Sequence, residues 1–213
     1  RSTLFPYTTL FRSTNRFIRF FVYNVVVKII CGKAVRLVIR KATTADLNEI
    51  VKIYDAIHDL EEKGLTTTGW CRSIYPTIEN AKMAIAAGDM FVMEVEGNIV
   101  ATARLNQNQE PDYAKINWER KADADKIMVI HTLVVDPQKR RNGYAIEFMS
   151  FYEEYARKNG CHELRLDTNE RNLVARSLYK ELGYHEEGVI PTVFNGIEGV
   201  NLVMLEKNLI SWD

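Results

Sequence analysis

Hydrophobic and polar positions along the chain switch repeatedly between alternation and helical spacing, and the switches mark off its elements. Val35 to Lys41 mixes apolar and charged residues as a half-buried strand does. Thr43-Thr44-Ala45-Asp46 offers a cap, after which Leu47, Ile50, Val51, Ile53, Tyr54 and Ile57 recur at helical spacing until Gly64. Residues 65–77 hold turn formers and aromatics and predict a loop; 78–87 predicts a short helix. Met90 to Val95 and Ile99 to Leu105 flank Glu96-Gly97-Asn98 and predict a hairpin, because Gly-Asn tolerates positive φ. Asn106 to Lys126 is a long polar connection of the kind that carries function or disorder. Ile127 to Val135 predicts a central strand, Gly143 to Lys158 a helix, and His162 to Asp167 another strand. A helix from Asn172 and strands near Tyr184 to Ile190 and Val200 to Glu206 complete the order β-α-α-β-β-β-α-β-α-β-β. That order predicts an α/β fold, a mixed sheet with helices on both faces, as one domain over 35–208 with 209–213 as a tail.

Residues 1–34 are expected to be a non-native extension. The chain opens on Arg1 and its first methionine is Met83. Thr3 to Ser13 looks like a translated sequencing adapter, and Thr14 to Ala34 has the Phe, Ile, Asn, Tyr and Lys content that AT-rich untranslated DNA would encode. A native start near Val35 follows from this reading. The alternative is a signal peptide or anchor at Phe20 to Val27, but that run is short, is interrupted by Asn24 and lacks a small-x-small cleavage site.

Composition narrows the partners. The 213 residues are 46% hydrophobic and 26% charged, enough for one buried core. Lys+Arg and Asp+Glu both number 28, so no global field favours nucleic acid or an anionic membrane. The three cysteines, Cys31, Cys71 and Cys161, form no C-x-x-C, which fits a reducing cytoplasm. The four histidines show no metal-binding helical spacing, and no metal is expected.

The most specific chemistry lies at Arg140-Arg141-Asn142-Gly143-Tyr144-Ala145, between a strand ending at Asp136-Pro137 and an amphipathic helix. The first N–H groups of such a helix have no intrahelical acceptor, and the macrodipole and two arginines add positive charge. Gly143 removes the Cβ that would keep an oxygen away. Further on, Asn172, Ala175, Leu178, Tyr179, Gly183 and Tyr184 fit N-x-x-A-x-x-L-Y-x-x-x-G-F/Y, and Arg140, Gly143 and Ala145 fit Q/R-x-x-G-x-G/A. With both motifs in this order, residues 36–208 resemble the GNAT family of N-acetyltransferases.

The resemblance implies acetyl-CoA as co-substrate and two central strands that splay apart to receive its pantetheine arm. Backbone of Leu133, Val134 and Val135 would pair with pantetheine while their side chains pack. Backbone of Arg140 to Ala145 would hold the pyrophosphate. Asn172 would contact the cofactor or only cap its helix. Tyr179 would donate a proton to the leaving thiolate, its other reading being a core aromatic. His131 is the first candidate base, since imidazole titrates near neutrality; Asp136 and Glu94 are weaker alternatives. Trp70, Tyr75, Trp118 and Phe194 would wall the acceptor pocket or belong to peripheral core. The reading that follows is direct transfer from acetyl-CoA to a small-molecule amine by a cytoplasmic monomer or homodimer. Its rivals are a protein N-terminal or lysine acetyltransferase and a non-catalytic acyl-CoA sensor.

Overall fold

The computed structural model describes the backbone of residues 20–22, 25–30 and 33–210, with side chains from residue 35 onward. Thr3 to Ser13 lies outside the described residues. Among those described, one sheet contains β1 (Phe20–Val22), β2 (Val25–Ile30), β3 (Lys33–Lys41), β4 (Met90–Val95), β5 (Asn98–Asn106), β6 (Ile127–Val135), β7 (Glu163–Asn169), β8 (His185–Phe194) and β9 (Ile197–Asn208). Their spatial order is β1-β2-β3-β4-β5-β6-β7-β9-β8. Only β6 and β7 run parallel. The helices are α1 (Leu47–Glu62), α2 (Ile78–Ala87), α3 (Tyr144–Lys158) and α4 (Leu173–Glu181). From β3 onward the order is the expected one. The segment set aside on sequence grounds contributes β1 and β2, which extend the sheet beyond β3 by antiparallel pairing. An open β3 edge would present unpaired N–H and C=O groups, and such an edge invites a further strand.

Strand alternation sends neighbouring residues to opposite faces. On one face Met93, Met128 and Ile130 pack beneath Phe148, Met149 and Tyr152 of α3. On the other, Val92 and Val134 pack beneath Ile50, Ile53 and Ile57 of α1 and Ala81 of α2. A third cluster, with Tyr113, Trp118, Ile127, Val129 and Met204, lies under the connection between β5 and β6. That connection is therefore an anchored loop and not a loose one. No helix among the described residues is long and apolar enough to cross a membrane.

Its anchor is Arg165 of β7, only 5% exposed. The guanidinium donates to Gln109 Oε1 at 2.6 Å and to the Arg120 carbonyl at 3.0 Å. It lies 4.1 Å from the centre of the Trp118 ring, and its Nε is 3.7 Å from Glu206 Oε2. Burial, with Glu163 and Glu187 nearby, pushes the Glu206 carboxyl up from 4.5 to about 7. An acid whose pKa rises on folding binds its proton more tightly in the native state, so stability falls as pH rises between the two values and levels above the higher. Asp167, raised from 3.8 to about 6, has the same sign. The melting temperature is expected to fall between pH 5 and pH 8, and Glu206→Gln to flatten that fall. Thermal melting across this range checks it; an unchanged slope in the variant would refute the assignment.

Candidate active site

Strands β6 and β7 pair only from Ile127–Val129 to Glu163–Arg165. Beyond that β7 stays with β9 up to Asn169, while β6 stays with β5 up to Val135. The register of β5 against β6 shifts between Thr102 and Arg104, and Thr132 takes φ +54. A β-branched residue with positive φ marks a bulge that bends its strand, here away from β7. The edge of β6 facing the fork, Ile130 to Val135, has no strand partner there. Its backbone N–H and C=O groups are open to an extended ligand.

A cavity of about 100 Å³ fills the fork. Tyr179 enters from α4, Ile130 to Leu133 from β6, Asp167 to Asn169 from β7, and Trp70 and Tyr75 from the loop after α1. Trp70 and Phe194 each meet Tyr75 edge to face, with ring centres 6.1 and 5.3 Å apart. The Tyr75 hydroxyl is hydrogen-bonded to Thr132 Oγ1, which fastens the loop to the bulge. Glu61 of α1 holds the loop at its base: its carboxylate accepts from the Thr68 N–H and Oγ1 at 2.8 Å each and from the Gly69 N–H at 3.0 Å. A second cavity of about 510 Å³ shares Tyr75, Glu110, Thr132 and Asn195 with the first, and it contains Asn80, Asp89 and Arg104.

Burial dominates the electrostatics. It pushes the Tyr179 phenol well above its ordinary value, aided by Asp167, and the Tyr75 phenol up to about 12. His131 is 8% exposed, and burial, with Arg104 adding repulsion, pushes its imidazole down to about 4. Its Nε2 contacts Asn106 Oδ1 at 3.1 Å, and Nδ1 lies 3.6 Å from Glu110 Oε1, too far to restore the charge.

On the far side of the fork, Arg141 and Gly143 take φ +66 and +74 where the chain enters α3. Asn142 Nδ2 donates to the carbonyls of Lys139 at 2.9 Å and Arg140 at 3.3 Å. Those carbonyls are thereby partnered within the turn, and the first N–H groups of a helix are a general site for an anion.

The profile of the acetyltransferase (GNAT) family matches residues 53–184, and that span contains the fork, the anion turn and α4. The chain belongs to the acetyltransferase (GNAT) family. It is 26% identical over 149 residues to the uncharacterized N-acetyltransferase YhfO of Bacillus subtilis, covering 70% of this chain and 90% of the relative. A GNAT-family acetyltransferase of Streptococcus agalactiae has the same fold at TM-score 0.68 and 21% identity, over 81% of this chain and 95% of that one. So does Salmonella typhimurium yncA, whose structure contains its cofactor acetyl-CoA, at TM-score 0.61 and 18% identity, over 83% of this chain and 96% of that one.

Within this GNAT fold, Tyr179, His131, Leu133, Asn172, Trp70, Tyr75 and Phe194 all line the fork cavity. Asn172 also caps α4, its Oδ1 accepting from the Ala175 N–H. Val134 is core beneath α1, and Tyr144 is buried, so both offer backbone alone. Trp118 does not reach the cavity: its indole N–H donates to the Tyr113 carbonyl and its ring carries Arg165, so it is peripheral core. His131 lines the cavity, and burial lowers the basicity of its imidazole. Glu94 is paired with Arg40 and Asp136 caps the turn after β6, so neither replaces it. The sequence reading missed Asp167 and Glu110. Asp167 ends its predicted strand, a position that carries ligand-binding groups in α/β sheets.

Gly143→Glu would put bulk, negative charge and a strained left-handed φ where the anion turn is open. Loss of acetyl-CoA binding, measured by isothermal titration on folded variant, is the expected outcome. Unchanged affinity would place the phosphate elsewhere.

Proposed function

We propose that the protein moves the acetyl group of acetyl-CoA to the primary amine of a small molecule, by direct attack in a ternary complex. One observation carries the reading: Tyr179 and the rings of Trp70, Tyr75 and Phe194 line one cavity in the fork. The pyrophosphate is assigned to the backbone of Arg140 to Ala145, and pantetheine to the open edge of β6 around Leu133 to Val135. A peptide acceptor calls for an open groove, whereas here the loop is fastened across the fork by Tyr75 and Thr132. The described cysteines, Cys71 and Cys161, are free thiols, which supports a reducing compartment.

The Tyr179 hydroxyl has no hydrogen-bond partner among the described residues, and its residue faces the cavity. The raised pKa keeps it a phenol, so it is a donor at working pH. As the carbon–sulfur bond breaks, charge gathers on sulfur, and a neutral donor beside it lowers that barrier. The amide nitrogen sheds its extra proton in the same step and can return one to the phenol. Cys71 and Cys161 have no adjacent base and do not line the fork, so no acyl-enzyme step is assigned.

Tyr179→Phe is expected to bind acetyl-CoA normally while thiol release with an amine acceptor falls about 10- to 10,000-fold. Full activity in that variant would remove the acid role. Tight acetyl-CoA binding without turnover on any amine would favour a sensor. We place the catalytic unit at residues 35–208, and a chain begun at Val35 is expected to keep its acetyl-CoA affinity. Loss of binding with a large drop in melting temperature would show that β2 is part of that unit.

A further inference from the structure

We propose that Asp167 removes the proton from the acceptor ammonium, and that the acceptor is a small amine carrying no carboxylate. This rests on the transfer reaction proposed above and names the partner of its amine side.

Position is the first argument. Asp167 lies just past the last rung of the fork, and it shares the cavity with Tyr179, Glu110 and His131. The Tyr113 hydroxyl donates to its Oδ2 at 2.9 Å. Its Oδ1 has no hydrogen-bond partner among the described residues and is left for the cavity. Tyr113 is itself a buried residue of the loop that Arg165 anchors, so the carboxylate is aimed by a rigid donor.

Charge is the second. The fork cavity contains two carboxylates, Asp167 and Glu110, and no lysine or arginine among its described lining. His131, the remaining titratable base there, stays neutral. In the adjoining cavity Arg104 already faces Asp89, Nε to Oδ2 3.8 Å. A carboxylate on the carbon beside the amine would sit within the fork, where it meets like charge and no lysine or arginine among the described lining, a cost specificity can exploit. An ammonium meets the opposite: two carboxylates and the rings of Trp70, Tyr75 and Phe194.

The chemistry balances. Asp167 takes one proton from R–NH3+ and leaves R–NH2. The nitrogen lone pair forms the N–C bond at the thioester carbonyl; collapse breaks C–S, Tyr179 protonates the thiolate, and the second nitrogen proton returns to Tyr179. Asp167 then gives its proton to water. A carboxyl raised to about 6 by burial, with Glu110 and Asp112 adding and the Tyr113 bond opposing, is ionised at neutral pH yet more basic than an exposed one.

The groups facing Asp167 are Glu110, Asp112 and Tyr113 from the β5–β6 loop, Tyr179 from α4, Tyr75 from the loop after α1 and His131 from β6. The test follows thiol release from acetyl-CoA with tyramine against tyrosine and histamine against histidine, each pair differing by one carboxylate. The decarboxylated member is expected to show at least about tenfold higher kcat/KM. The acid limb of kcat/KM is expected near pH 6, to move upward in Tyr113→Phe and to vanish in Asp167→Asn with kcat lowered about 100-fold or more. A merely structural Asp167 would lower activity without moving the limb, and melting curves verify that both variants fold. Equal or better use of tyrosine or histidine overturns the acceptor class, and an unmoved limb overturns the base. If acetyl-CoA binds by calorimetry and no amine releases thiol, the proposed function itself fails, and this inference with it.

Discussion

The fork between β6 and β7 depends on a guanidinium that almost no water reaches. Arg165 occupies the last rung the two strands share, where the sheet must either close or part. Its side chain spends its donors on the β5–β6 loop, through Gln109 and the Arg120 carbonyl, and stacks on Trp118. Its Nε has no hydrogen bond among the described residues and faces Glu206 Oε2 at 3.7 Å, so the ion pair compensates the charge there, and removing the partners would leave a buried charge uncompensated. The loop is thereby held at the mouth of the fork, and with it Glu110, which lines the cavity, and Tyr113, which aims Asp167. Glu206 stands on the other side of the same guanidinium, so the stability of the sheet and the geometry of the site share one ionic cluster.

The two halves of the site use different chemistry. Where we propose that the cofactor lies, the chain offers backbone: the open edge of β6 and the N–H groups before α3, next to Asn142 bonded to the Lys139 and Arg140 carbonyls. Where we propose that the acceptor lies, it offers side chains: three aromatic rings, two carboxylates and the Tyr75–Thr132 bond. Tyr179 of α4 and His131 of β6 line one cavity because β6 and β7 part there.

What could be read from the sequence follows the range of the interactions. Helical spacing from Leu47 to Ile57, the Gly-Asn turn after β4 and the cap at Asn172 are local, and the elements they predict are present. The turn before α3 and Tyr179 belong to fixed spacings within single segments, so the family they resemble could be read before any fold was known. Long-range contacts could not. The loop from Asn106 to Lys126 reads as polar and open, yet Tyr113 and Trp118 bury themselves against β7 and β9. The bulge at Thr132 has no glycine to announce it. His131 was found by position, but its titration is set by Asn106, Arg104 and the depth of the cavity, none of which adjoins it in sequence.

The loop after α1 is tied down through backbone and side chains together, and Arg72 pairs with Asp55, Asp59 and Glu62 of α1. Glu61 grips the amides of Thr68 and Gly69, Thr67 donates to the Arg171 carbonyl, and buried His58 bonds the Pro76 carbonyl. None of these bonds uses the Trp70 ring, so the width of the cavity at that ring can change while the loop stays tied.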